Sequence, residues 1–214
     1  MNVSNFHGKH KGETCLIVGL APNLSLTPPQ WFNYPSFGVN TIYKQTEFTP
    51  TYFVGVDERL RLEDGENIVK AYPNVPKFFH APDWDELQGD NIVRFAHRQG
   101  GSLYIGGQSP KQKEALTRWG INYKRVMEAV LQIAWYMGFE TMLMIGVQHK
   151  PNESRHHFWG VDAKEQEQPQ DFWFEGYRDC VRMMNSVKVL NISEDTYVPA
   201  DVLPRGNWRD WKNT

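Results

Sequence analysis

The chain has 214 residues, 40% of them hydrophobic and 22% charged, with a formal net charge of −2. That length suits one well-cored domain and is short for two, and so small a net charge supplies no field for duplex nucleic acid or an acidic membrane surface. Cys15 and Cys180 form no CxxC pair or disulfide framework, residues 1–12 are polar, and no window approaches the roughly 20 apolar residues of a membrane span; a soluble cytoplasmic protein is expected.

In chain order, Cys15-Leu16-Ile17-Val18 is an apolar run without polar alternation, the pattern of a parallel strand covered on both faces. It stops at Gly19, where the backbone can turn sharply and bring its N–H groups close to a ligand. Leu20, Ala21 and Pro22 follow with no further glycine, so this is not the G-x-G-x-x-G dinucleotide fingerprint. Pro28, Pro29 and Pro35 make the next stretch irregular. Residues 37–43 read as a second strand with Asn40 near its end, and 52–57 as a third that runs apolar up to Asp57. Ligands of open α/β sheets sit outside the carboxyl ends of the strands, so Gly19, Asn40 and Asp57 converge if these strands are neighbours.

Residues 58–72 predict a charged surface helix broken near Gly65, and 77–80 and 92–95 two more short strands. Gly100, Gly101, Gly106 and Gly107 bracket 102–105, as hairpin turns or as a lid. The strongest helical period spans 122–137, from Asn122 through Val126, Val130, Ile133 and Ala134 to Met137, with Gly138 as its stop. A buried strand over 140–147 follows at once. A polar loop then holds His149, His156 and His157 within a histidine-rich stretch over 147–168, before an aromatic helix over 171–185, a strand over 187–193 and a tail over 194–214 that packs on the surface. The sum is α/β: a single Rossmann-like domain over 1–214, with a mostly parallel sheet and helices on both faces.

Candidate chemistry gathers at strand ends. His149, His156, His157, Glu153 and Asp162 are metal-ligand types, but their spacing matches no zinc signature. His156 or His157 is a candidate general base or acid, since imidazole titrates near working pH; solvated structural histidines are the alternative. Asp57 can hold a divalent cation, accept from a ribose hydroxyl or cap the following helix. Neither a nucleophile elbow nor a P-loop occurs, so covalent catalysis is not expected.

Gly19-Leu20-Ala21-Pro22-Asn23-Leu24, a strand ending in Asn40, one ending in Asp57, and the 122–138 helix leading to Ile145-Gly146 together resemble two related groups. These are the bacterial CMP-sialic acid sialyltransferases with a single Rossmann-like domain and the 6-hydroxymethylpterin pyrophosphokinase-like proteins. The resemblance implies nucleotide binding by Gly19, Ala21, Pro22, Asn23, Asn40, Asp57, Asn122, Gly146 and Gln148. On the first pattern a CMP-type nucleotide sugar donates its sugar to a hydroxyl acceptor by direct displacement, with His156, His157 or His149 as catalytic residue. On the second, Asp57 holds Mg²⁺ with ATP and a diphosphate moves. Gln148 stands where the family pattern has an acid, which leaves a third reading, a non-catalytic nucleotide-binding or assembly protein.

Overall fold

Polar alternation is missing from the strands because both faces of the sheet are covered. The computed structural model describes residues 3–81, 87, 89, 91–96, 125–150, 157–159 and 170–213. Its strands are β1 (Thr14–Val18), β2 (Ser36–Val39), β3 (Tyr52–Gly55), β4 (Lys77–Ala81), β5 (Ile92–Ala96), β6 (Thr141–Ile145) and β7 (Lys188–Asn191). They form one seven-stranded sheet in the order β5-β4-β3-β2-β1-β6-β7, and every pairing is parallel. Successive side chains enter opposite cores: Cys15 and Ile17 go to one face and Leu16 and Val18 to the other, as do Met142 and Met144 against Leu143 and Ile145.

Helix α1 (Glu58–Ala71) covers one face through Leu60 and Ile68, while α2 (Val126–Tyr136) and α3 (Gln170–Met183) cover the other through Val130, Ile133, Ala134, Phe174 and Tyr177. The expected break in α1 at Gly65 does not occur. A Cβ there would lie 3.1 Å from Leu87, so the glycine serves close packing and the helix continues through it. The buried ammonium of Lys77 donates to the carbonyls of Tyr72 (2.6 Å) and Val75 (2.7 Å) beyond the end of α1. α2 stops as its sequence predicts: Gly138 has φ 94°, its N–H donates to Trp135 and that of Phe139 to Ala134, the Schellman pattern. Asn122 and the glycine-bracketed stretch over 100–107 lie outside the described residues.

Both chain ends reach further into the core than their polarity suggests. Val3 and Phe6 are buried, with Phe6 packed edge-on against Tyr52 and Phe78. In the tail, Val198, Val202 and Leu203 are fully buried in the α2/α3 core, while Trp208 lies against Trp31 with ring centres 4.8 Å apart.

The sheet order reverses between β1 and β6. From β1 the chain goes on to β2 on one side, and from β6 to β7 on the other, which opens the crevice where ligands of such sheets bind. Here the two strand ends touch. Gly19 N–H donates to Ile145 O at 2.8 Å and Ala21 N–H to Gly146 O at 3.0 Å. A Cβ at Gly19 would sit 2.4 Å from Gly146 O, and one at Gly146, where φ is 66°, would sit 2.7 Å from Gly19 O.

Gly146→Ala is therefore expected to lower stability by about 2–5 kcal/mol, combining backbone strain and overpacking. Gly8→Ala is the control, since φ is also 66° there but nothing lies within 4 Å of the added Cβ. Urea midpoints measure both, and equal losses would remove the contact from the account. Cys15 and Cys180 are free and fully buried, and burial pushes both thiols well above their ordinary range. Ellman's reagent at pH 8 should reach neither until the chain unfolds.

Candidate functional site

Short polar loops leave the carboxyl ends of β1, β2 and β6, and each sets a carboxamide into partly dry surroundings. After β1, Pro22 opens a 3₁₀ turn over Pro22–Ser25 that buries Asn23 and Leu24. The Asn23 amide donates to the carbonyl of Glu194 at 2.6 Å, which fixes its orientation, because a flipped amide would set oxygen against oxygen. Its Oδ1 is buried without a hydrogen-bond partner among the described residues. After β6, Gln148 is 4% exposed; its amide nitrogen faces the Asp195 carboxylate at 3.4 Å, and its Oε1 is also buried, with no partner among the described residues. At the end of β2, Asn40 has φ 45°, a left-handed backbone that asparagine tolerates better than most residues, and its Oδ1 is again buried, with no partner among the described residues. The strand expected to run through Asn40 ends at Val39, and a 3₁₀ helix over Asn40–Lys44 follows.

Asp57 lies two residues beyond β3 and caps α1, its carboxylate accepting from the Arg59 N–H at 2.8 Å. Of the roles open to it, helix capping is the one its contacts show. Among the described residues no three His, Cys, Asp or Glu side chains are grouped to hold a metal ion. His156, Glu153 and Asp162 lie outside the described residues, as does most of the stretch over 147–168.

Residues 157–159 lie across the ends of β1 and β2. Phe158 N–H donates to Leu20 O at 2.7 Å, and Trp159 Nε1–H donates to Thr41 Oγ1 at 3.0 Å. The Trp159 ring is stacked on His157 with centres 4.9 Å apart, and the Lys44 ammonium stands 4.1 Å from its centre. His157 thus sits at the same sheet edge as the carboxamides. His149, at φ 51°, turns instead toward α3: its Nε2 is 3.1 Å from the Tyr177 hydroxyl, and its ring meets Phe174 edge-on. Behind Tyr177, Glu128 is 1% exposed, with Arg125 3.7 Å away; Gly176 makes room for it, since a Cβ there would overlap the Glu128 carboxylate.

Sequence reasoning missed Tyr177, Trp159, Lys44 and Asp195. Tyr177 lies on the apolar face of α3, where its spacing marks only core, and Asp195 belongs to the tail, remote in sequence from Gln148. A polar tryptophan loop beside a strand-end lysine was the one available signal for the Trp159–Lys44 stack.

Solved structures share this architecture. The chain is similar in fold to sialyltransferases. One is CstII of Campylobacter jejuni, determined in complex with the substrate analogue cytidine-5'-monophosphate; its TM-score is 0.56 at 10% identity, covering 92% of this chain and 88% of that one. Another is the monofunctional α-2,3-sialyltransferase Cst-I of the same organism, with a TM-score of 0.58 at 13% identity, covering 95% of this chain and 82% of that one. Identities this low establish the fold alone. No protein-family model and no curated sequence matches the chain.

Asn23→Asp should be the most damaging isosteric change at this edge, because it replaces the donor to Glu194 O with a carboxylate oxygen. A loss of about 2 kcal/mol or more is expected above pH 6, shrinking as the pH falls and the introduced acid protonates. A denaturation series from pH 4 to 8 checks it, and a pH-independent loss would contradict the assigned contact.

Proposed function

We propose that the protein is a nucleotide-dependent transferase of the glycosyltransferase kind, moving a sugar from a CMP-type nucleotide sugar to a hydroxyl acceptor. The observation that carries this reading is the set of buried acceptor oxygens on Asn23, Asn40 and Gln148, without partners among the described residues, at the carboxyl ends of β1, β2 and β6. Such oxygens cost stability unless something donates to them. Ribose hydroxyls and an exocyclic base amine are donors of the required kind. The likeness of the fold to a sialyltransferase determined with a cytidine nucleotide supports the choice of CMP.

In this reading Gly19 and Gly146 bring bare backbone up to the nucleotide, Ala21 and Pro22 shape the turn over it, and Lys44 is the cation at the edge for the phosphate. The bond from the anomeric carbon to phosphate oxygen breaks as the acceptor oxygen bonds to that carbon. The nucleoside monophosphate leaves with the bond's electron pair, and the acceptor's proton passes to a histidine. His157 is the described candidate, and His156 and His149 complete the set. Asn122 is assigned to the nucleotide and Asp57 to a supporting place at the end of β3. The expectation of Mg²⁺ with ATP at Asp57 finds no carboxylate grouping among the described residues. Gln148 favours one other reading, a protein that binds the nucleotide without transfer, since a carboxamide neither takes up a proton nor holds a cation as an acid does.

A thermal-shift panel of CMP, UDP, GDP and ATP, each with Mg²⁺ and with EDTA, tests the reading. CMP at 100 times its Kd should stabilise the fold by about 2.7 kcal/mol, equally in EDTA, and Asn40→Ala should weaken CMP binding by about tenfold. A response to no nucleotide overturns the proposal. A response to ATP only with Mg²⁺ replaces it with the pyrophosphokinase-like reading. CMP binding without release of CMP from a CMP-sugar leaves the binding protein.

A further inference from the structure

The contact between His149 and Tyr177 determines more than where the imidazole lies. The Tyr177 side chain is buried between α2 and α3, and its hydroxyl has one hydrogen-bond partner among the described residues, His149 Nε2 at 3.1 Å. A phenol oxygen carries a single proton, and a buried O–H without an acceptor is costly. If Nε2–H donated to the phenol, the Tyr177 proton would face no acceptor among the described residues. If the phenol donates to the Nε2 lone pair, both groups are satisfied.

We infer that Tyr177 is a positioning residue that holds His149 as the neutral tautomer with its proton on Nδ1. With its Nε2 lone pair engaged by the phenol, His149 does not take up the acceptor's proton, which leaves proton abstraction to the other histidines of the loop. Its left-handed backbone, φ 51°, and its edge-on packing against Phe174 and Tyr177 hold the ring against the phenol.

Burial and the surrounding charges leave Tyr177 with a net shift of one sign. Burial first, and then the Glu128 carboxylate, push its hydroxyl far above the ordinary phenol range, and the Arg125 guanidinium opposes them without reversing the sign. The phenol therefore keeps its proton throughout the working pH range and remains a donor. The charged groups on the elements around His149 include Lys150, next in the chain, the Arg125–Glu128 pair behind Tyr177, Glu175, Arg178, Asp179 and Arg182 on α3, and Glu194 and Asp195 in the loop after β7. The tautomer follows from the packing alone; its consequence for transfer rests on the nucleotide reading.

Long-range proton–nitrogen correlation spectra of the ¹⁵N-labelled full chain at pH 7.5 test this, with His149 assigned by the signal that disappears in His149→Gln. The wild type should show His149 neutral with its proton on Nδ1, and Tyr177→Phe should move a majority of the population to Nε2–H. A wild-type His149 with its proton on Nε2, or present as imidazolium, overturns the inference, as does a Tyr177→Phe spectrum unchanged from wild type. If Tyr177→Phe does not fold, the wild-type spectrum decides alone. Calorimetric titration with CMP is read separately. Absence of CMP binding overturns the proposed function and leaves the tautomer standing, whereas CMP binding with the wrong tautomer overturns only the role given to Tyr177.

Discussion

A methyl group does not fit between the ends of β1 and β6. Gly19 and Gly146 face one another across the point where the sheet reverses its order, each within overlap distance of the other's carbonyl were a Cβ present. That approach lets Gly19 N–H and Ala21 N–H bond across to Ile145 and Gly146, which starts the turn that buries Asn23. Leu24 packs close by, with a side-chain carbon 3.2 Å from the place a Gly146 Cβ would take. The left-handed backbone at Gly146 sends the chain toward Val147 and Gln148. Carboxamides of both loops thus owe their places to one glycine pair.

Support from behind comes from the loop after β7. Glu194 O accepts from Asn23, the Asp195 carboxylate faces Gln148, and Ser193 Oγ accepts from Val147 N–H at 3.1 Å. Glu194 N–H in turn donates to Thr27 Oγ1 at 3.2 Å. The Asn23 and Gln148 carboxamides have their nitrogens tied to this loop and their oxygens left over among the described residues, so the polarity they present at the crevice is settled by residues that need not touch a ligand. Such preorganisation keeps donors and acceptors from reorienting when a ligand arrives.

Elements whose signal was local were legible in the sequence. The apolar runs of β1 and β6 needed no partner to be recognised, and the α2 stripe with Gly138 behind it specified both a helix and its end. Asn40 was found as a strand-end residue, though not as the start of a 3₁₀ turn, since a left-handed asparagine looks like any other in one dimension. Gly65 was misread because a glycine that breaks a helix and one that makes room for Leu87 are the same letter. The core roles of Val3, Phe6, Val198, Val202 and Leu203 were hidden because isolated apolar residues in polar segments have no period. Tyr177 and Asp195 escaped for a related reason: their importance lies in partners supplied by other elements.

The pairing of β1 with β6 also sets the order in which this chain can be assembled. β1 pairs on one side with β6, register Thr14↔Thr141, a partner synthesised only after β2 to β5 and α2. Contacts so distant in sequence close slowly, because the intervening chain must be ordered before the pairing rewards it. Until β6 arrives, a nascent sheet of β1 to β5 presents the apolar flank of β1 as an open edge, the kind of surface that recruits strands from other molecules. The crevice therefore cannot pre-exist in β1 to β5 alone: the step that closes the sheet also forms the switch point.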